Sequence, residues 1–255
     1  MQDNKEEEEM RIRSSAALVV MVALVMGWGT SPALADYGYS TVKGPPGGEL
    51  GHAAIFGNVY GGIFTGSGTD LGYGLWTTFS NGSISAHRVF DFDDESETIH
   101  IVNGDQTNID QVWTDGQTSV TATARYASYE QSFGWNGGGL GQDYIELLTH
   151  LDVGNGPVEV FIPSDPFLWG NRPNGYEWWS KNSYNSDDDH MVTYYIDGAS
   201  TYGETVWMVF WEDLGSGNWD QDYNDFVIEL RAIPEPGSML LFGLGAMALL
   251  RKRKA

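Results

Sequence analysis

WMVFWEDLGSGNWDQDYNDFVIEL, residues 207–230, divides into three parts. Strand-type residues open it (Met208, Val209 and Phe210, with Val206 just before), and Phe226, Val227 and Ile228 close it. Gly215 and Gly217 supply a turn between them, so the stretch predicts two antiparallel strands and an acidic connecting loop. The loop carries Glu212, Asp213, Asp220, Asp222 and Asp225 plus the amide Asn224, with no Lys, Arg or His among them. Like charges at that density cost Coulomb energy unless something cationic joins them. Asp220, Asp222 and Asn224 stand at alternate positions, a spacing that lets a curved loop point several oxygens at one spot. Oxygen-only ligation suits Ca²⁺, which takes about six to eight oxygens in adaptable geometry. The pattern is not an EF-hand: counted from Asp220, the glycine position holds Asp225 and the closing glutamate position holds Arg231. The competing reading is turn chemistry, in which Asp and Asn side chains bond nearby backbone N–H groups.

Working outward, short β-type runs recur with turn residues between them. The expected strands lie near 53–60, 73–79, 84–92, 98–102, 119–126, 144–151, 158–162, 191–196, 205–211 and 226–230. Asn81-Gly82 and Asn103-Gly104 are hairpin-grade turns. No stretch of the body sustains a helical period beyond about two turns. The expectation is an all-β protein, a jelly-roll-like β-sandwich. Residues 134–141 form a Gly-rich loop without the spacing of a dinucleotide fingerprint. The longest irregular segment, 165–181, holds Trp169, Trp178 and Trp179, which either stack on sugar rings or cap the core beneath a long loop. Asp187, Asp188 and Asp189 beside His190 either extend the ion site or form a solvated turn.

Composition narrows the function. Residues 36–233 hold six Lys and Arg against 29 Asp and Glu, a formal net charge of −23. A phosphate backbone is repelled by such a surface, which excludes nucleic-acid binding. The chain has no cysteine, so disulfides and thiol chemistry are excluded too. Nucleophile elbows, zinc-protease helices and phosphate-binding loops are all missing, and His52, His87, His100, His150 and His190 are scattered. The chain reads as a non-enzyme; a hydrolase would require a second acidic pair in a cleft away from the acidic loop.

Both ends read as sorting segments. Arg11 and Arg13 precede the apolar run 16–26, and Ala33-Leu34-Ala35 fits a small-residue cleavage rule, so residues 1–35 are expected to be a signal peptide and Asp36 the mature start. The acidic residues 1–9 are wrong for such a peptide, and Met10 is the expected true start. A Gly/Pro-rich leader, expected to be poorly ordered, spans 36–51, and the β-domain spans 52–233. At the far end stand Pro234, Glu235 and Pro236, the apolar run 238–250 and the basic cluster 251–254. These three parts in this order resemble the PEP-CTERM protein-sorting signal. The resemblance implies recognition of Pro234-Glu235-Pro236 by an exosortase and delivery to the envelope or outer surface of a Gram-negative-type cell. Basic flanks stay cytoplasmic, so everything between them is exported. The apolar run, at ~1.5 Å per residue, falls short of a ~30 Å hydrocarbon layer, which points to transient engagement of the inner membrane.

The body carries a second likeness. Phe210-Trp211-Glu212-Asp213-Leu214, then Asp220-x-Asp222-Tyr223-Asn224-Asp225-Phe226-Val227, with Asp189-His190-Met191-Val192 upstream, resembles the signature of domain-of-unknown-function family 4114 over 187–230. Trp211 departs from the family's usual Phe-Glu step. The likeness implies a secreted β-domain and no activity. Together these readings describe a calcium-stabilised structural protein of the cell surface or an exopolysaccharide matrix, or alternatively a carbohydrate-binding module using Trp169, Trp178 and Trp179.

Overall fold

The computed structural model describes residues 42–72, 75–91, 99–100, 110–114, 116–136, 144–162, 166–186, 188–215 and 220–233. The signal peptide 1–35, Asp187, most of the 134–141 loop, Pro234, Glu235, Pro236 and the apolar run 238–250 lie outside them. All described residues belong to one compact unit.

Among the described residues, one α-helix, α1 (His52–Tyr60), precedes the strands. They are β1 (Thr65–Gly72), β2 (Leu75–Ser80), β3 (Ser85–Arg88), β4 (Ile99–His100), β5 (Trp113–Thr114), β6 (Gly116–Arg125) and β7 (Ser132–Asn136). After these come β8 (Tyr144–Thr149), β9 (Val158–Ile162), β10 (Trp169–Asn171), β11 (Trp178–Trp179), β12 (Met191–Asp197), β13 (Thr205–Trp211) and β14 (Phe226–Ile233). Eight strands form one antiparallel sheet in the order β1-β2-β3-β12-β13-β14-β6-β9, and four form a second in the order β11-β10-β7-β8. The short pair β4 and β5 is parallel. The architecture is an all-β sandwich with unequal sheets. The strands expected at 158–162 and 205–211 are found with those bounds, and no helix among the described residues is long and apolar enough to cross a membrane.

The strand β13 explains why residues 206–211 are apolar without alternation. Side chains of a strand point alternately to the two faces of the sheet. Trp207, Val209 and Trp211 enter one core with Ile228 and Leu230 of β14 and with Phe133, Trp135, Leu148 and Trp169 of the smaller sheet. Val206, Met208 and Phe210 enter a second core with Val192, Tyr194 and Ile196 of β12 and with Ile55 and Phe56 of α1. Both faces of the large sheet are therefore covered, and an apolar residue is required at every position.

The helix corrects the strand expected at 53–60. His52, Ile55, Phe56 and Val59 recur at helical spacing; the first three are buried and Val59 packs against the second core. The β-branched Ile55 and Val59 and the central Gly57 disguise that period. Gly57 is needed because a Cβ there would lie 2.9 Å from the carbonyl oxygen of Gly62. The helix stops at Gly61, whose φ of 78° suits the residue after a helix end, and the Gly61 N–H donates to the Gly57 carbonyl at 2.9 Å. The leader expected to be poorly ordered up to residue 51 also differs. Val42 is buried in the second core and Leu50 packs against it, so residues 42–51 are part of the folded domain.

Candidate metal centre

The β13–β14 hairpin is held by a seven-pair antiparallel register from Thr205↔Ala232 to Trp211↔Phe226. Its connecting loop leaves the sheet at Glu212 and returns at Asp225, placing its acidic residues at one end of the sandwich. Oxygen atoms of Glu212, Asp220, Asp222 and Asp225 lie within 4.8 Å of one another. One Ca²⁺ spans that distance with carboxylates on opposite sides at ~2.3–2.6 Å.

The backbone of the loop is built for this convergence. Gln221 (φ 61°) and Tyr223 (φ 52°) both adopt the left-handed conformation, which costs non-glycine residues energy and persists only where the surroundings impose it. Those two residues flank Asp222. Three contacts impose the geometry. The Lys43 N–H donates to the Gln221 carbonyl at 2.7 Å. His52 Nε2 lies 2.9 Å from the Asp222 carbonyl, and the Tyr223 hydroxyl donates to the Asp189 carbonyl at 3.0 Å. A carbonyl only accepts, so Nε2 of His52 carries the proton and Nδ1 accepts from the Tyr194 hydroxyl 2.8 Å away. Burial pushes the His52 imidazole down to about 3, so it remains neutral and the tautomer is fixed.

Glu212 and Asn224 are fully buried and Asp222 nearly so, at 2 % exposure. Glu212 Oε2, Asp222 Oδ2 and Asn224 Oδ1 have no hydrogen-bond partner. A buried polar atom without a partner costs about 1–3 kcal/mol, more when charged, and two of these three belong to carboxylates that converge, which calls for a ligand. Carboxylates also crowd one another: the oxygens of Glu212, Asp220, Asp222 and Asp225 share that 4.8 Å space, and Glu49 adds to the effect on Asp222. Two ionised carboxylates have no donor between them, so each contact needs a shared proton or a cation. Burial first, and neighbouring carboxylates second, push Glu212 up to about 10. The same pair of effects raises Asp222 and Asp225 to about 8 each. Without a cation the cluster holds protons at neutral pH; with one it has no need of them.

Of the six residues expected to bind metal, four converge. Asp213 lies beside the group: burial pushes it up to about 6, Gln131 Nε2 donates to its Oδ2 at 3.4 Å, and its N–H donates to Asp225 Oδ2 at 2.9 Å. Asn224 spends its amide nitrogen on the Leu50 carbonyl at 3.1 Å, which leaves its oxygen for a cation. The loop also contains the turn chemistry weighed against metal binding, since the Asn224 N–H donates to Asp222 Oδ1 at 3.2 Å. That bond occupies one oxygen and leaves the other bare. Asp188, Asp189 and His190 stay out of the group; Asp189 Oδ1 accepts from the Met191 N–H at 3.1 Å. Sequence reasoning missed Glu49 and His52, which reach the loop from the other end of the chain.

The three tryptophans of the alternative sugar-binding reading are placed differently from one another. Trp169 is wholly buried, stacked on Phe133 at 5.0 Å and edge-on to Phe167 at 4.9 Å. Trp179 is buried against Val112 and Leu168. Trp178 is half-buried; its ring stacks on His190 at 3.9 Å, and its Nε1–H donates to the Asp213 carbonyl at 3.1 Å. Segment 166–181 thus covers the core and buttresses the acidic loop. Away from that loop, an open cavity of about 440 Å³ is lined in part by Glu130, Glu146, His150 and Arg172. Both glutamates are exposed, without the contrasting environments that set a catalytic acid apart from a base.

Comparison with known proteins adds one firm identification. No curated protein sequence matches the chain. Among solved structures, the C-terminal domain of the BC2L-C lectin from Burkholderia cenocepacia aligns with 49 % of this chain and 97 % of its own length, at 14 % identity and a TM-score of 0.33. Residues 232–254 match the PEP-CTERM protein-sorting motif, which begins on the last two residues of β14 and implies an exported cell-envelope protein processed by an exosortase.

Proposed function

We propose that this is a non-enzymatic structural protein of the cell surface or extracellular matrix, whose β-sandwich is closed after export by a divalent cation, Ca²⁺. Glu212, Asp220, Asp222 and Asp225 hold the ion, Asn224 Oδ1 adds a neutral ligand, and exposed Asp220 leaves one side open to water. The observation that carries this reading is the trio of buried, partnerless oxygens on Glu212, Asp222 and Asn224. Oxygen-only donors of mixed charge in a loop suit Ca²⁺ better than Mg²⁺, which prefers a tight octahedron and keeps its waters. Exosortase acts on Pro234-Glu235-Pro236, and the DUF4114 likeness of 187–230 agrees with a secreted β-domain. Matrix polymer remains the partner class that the −23 charge permits, through bridging cations rather than through an aromatic platform.

The test is thermal unfolding of the purified protein across micromolar to millimolar Ca²⁺, with Mg²⁺ as the comparison. A ligand bound only by the native state raises the melting temperature by mass action. Asp222→Ala combined with Asp225→Ala should abolish that rise. A wild-type melting temperature that ignores millimolar Ca²⁺ would falsify the cation site and leave the sorting motif untouched.

A further inference from the structure

The end of the large sheet opposite the acidic loop is built from different material. A rung of paired residues marks that end: Thr65↔Ser80, Ser80↔Ser85, Ser85↔Asp197 and, further across, Thr205↔Ala232. Loops 61–64, 81–84 and 198–204 leave the sheet there and pack on one another and on β14. Arg231 Nη1 donates to the Ala199 carbonyl at 3.1 Å, and Asn81 Nδ2 donates to the Gly61 carbonyl at 2.9 Å. A Cβ on Gly198 would fall 2.4 Å from the Ser83 carbonyl oxygen. In a body of net charge −23 these loops contain one charged residue, Glu204. Its Oε2 accepts from the N–H groups of Thr201 and Tyr202 at 2.9 and 2.8 Å and from the Ser200 hydroxyl at 2.9 Å. The two most exposed large apolar side chains among the described residues, Ile63 at 85 % and Tyr202 at 84 %, both stand on these loops. From this same end the sorting segment departs. β14 stops at Ile233, Pro234 follows at once, and the apolar run begins at Ser238, five residues on. Five extended residues reach at most about 18 Å.

We propose that this end of the sandwich is a lipid-facing surface. While the apolar run 238–250 engages the inner membrane, loops 61–64, 81–84 and 198–204 seat on the leaflet facing the exported side, with Ile63 and Tyr202 among the headgroups. The inference uses the sorting motif and is independent of the cation reading. Three observations select a bilayer as the occupant. The short tether keeps this end beside the membrane whenever the apolar run is engaged. A tyrosine suits the headgroup boundary, where its ring meets apolar surface and its hydroxyl meets water. Loops nearly free of charge meet little repulsion from anionic lipid, whereas the carboxylate-rich end would be driven off. The eight residues of β14, at ~3.4 Å rise, set the acidic loop about 24 Å from this surface. That is several times the ~8 Å over which salt screens charge, so the acidic end does not oppose the contact. The seated domain stands upright, with its acidic loop turned away from the bilayer.

The chain has no cysteine, so single cysteines give unique labelling positions. Ser83→Cys and Thr201→Cys lie on the loops beside the two apolar tips; Ser128→Cys lies at the acidic end, where the N–H groups of Tyr126 and Ala127 meet the Asp225 carbonyl. All three positions are exposed. Each full-length variant carries a fluorophore and is mixed with phosphatidylethanolamine–phosphatidylglycerol vesicles containing a nitroxide lipid. A chelator is present throughout, so no cation bridges protein to lipid. Emission should be lost at 83 and 201 and retained at 128. Adding Ile63→Ser and Tyr202→Ser together should restore emission at 83 and 201 while the chain still floats with the vesicles by its tail. Both side chains are exposed, so the melting temperature should match that of the parent. Equal quenching at all three positions, or quenching at none, overturns the lipid-facing assignment. Quenching at 83 and 201 that survives the double serine change overturns the part given to Ile63 and Tyr202.

Discussion

The acidic loop between β13 and β14 and the tryptophan segment at 166–181 present opposite solutions to the same kind of sequence. Each is dense in residues that ordinarily signal binding. In the tryptophan segment the ring faces are packed away: Trp169 sits in a cage of Phe133, Phe167 and Trp113 with only its Nε1–H left without a partner, and Trp179 is tied by its backbone to both ends of the Asn185 side chain. In the acidic loop the defining atoms are left bare, with three buried oxygens lacking partners and carboxylates abutting carboxylates. A lone bare N–H on a ring that is otherwise packed still belongs to the core, whereas several bare oxygens among crowded carboxylates call for a cation.

That contrast can be broken most sharply at Trp169. Trp169→Ala should destabilise the protein by about 3–5 kcal/mol, the range for emptying an aromatic core site, and by the same amount with or without Ca²⁺. Denaturant titration under both conditions measures it; a variant of near wild-type stability would return the ring to the list of surface platforms. On the acidic side, Glu212→Gln mimics the protonated form that the cation-free protein already holds. Its melting temperature without Ca²⁺ should stay close to wild type. The Ca²⁺ increment, worth about 2.7 kcal/mol at a hundred times the dissociation constant, should largely vanish.

The pH dependence separates the two regions further. Asp222 and Asp225, held at about 8 in the cation-free fold, bind protons more tightly than they do unfolded, where carboxylates titrate near ~4. Between those limits the native state carries more protons than the unfolded one, so stability without a cation falls as pH rises from ~4 to 8. Glu212, at about 10, carries the decline further. The cation's contribution should grow over the same window as protons stop competing for the oxygens. Melting curves at pH 5 and pH 8, with chelator and with Ca²⁺, test both signs; a Ca²⁺ increment that shrinks with rising pH would contradict the site. The smallest effect is expected where the regions touch. Trp178→Phe keeps a ring against His190 but removes the N–H bond to the Asp213 carbonyl, at a cost of about 1 kcal/mol.

Much of this was legible beforehand. β13 and β9 were readable to the residue because β-branched and aromatic runs bounded by turn residues have few alternatives. Among the strands that escaped notice, β1 with its TGSGTDLG and β7 with its SFGWN are Gly-rich or carry Trp in settings that also suit loops, and β10 and β11 lie in the segment read as irregular. Their strand character comes from pairing. Gly134 in β7 is needed because a Cβ there would fall 2.2 Å from the Ile145 carbonyl oxygen of β8, a constraint invisible until the two strands are side by side. The D-x-D-x-N spacing pointed to the acidic loop, yet nothing local marked Asp213 as standing outside the four converging carboxylates or His52 as a neighbour of the loop.

From the chain alone came the all-β class, the sorting motif and the density of uncompensated carboxylate in one loop, because each depends on residues near one another along the backbone. Only the folded molecule decided which four carboxylates meet, that Trp169 and Trp179 face inward, that 52–60 is a helix, and that residues 42–52 brace the acidic loop. Those outcomes depend on contacts between different segments of the chain, some of them more than a hundred residues apart, such as His52 with Asp222. No local propensity encodes them; burial of apolar surface on both faces of one sheet chooses among them.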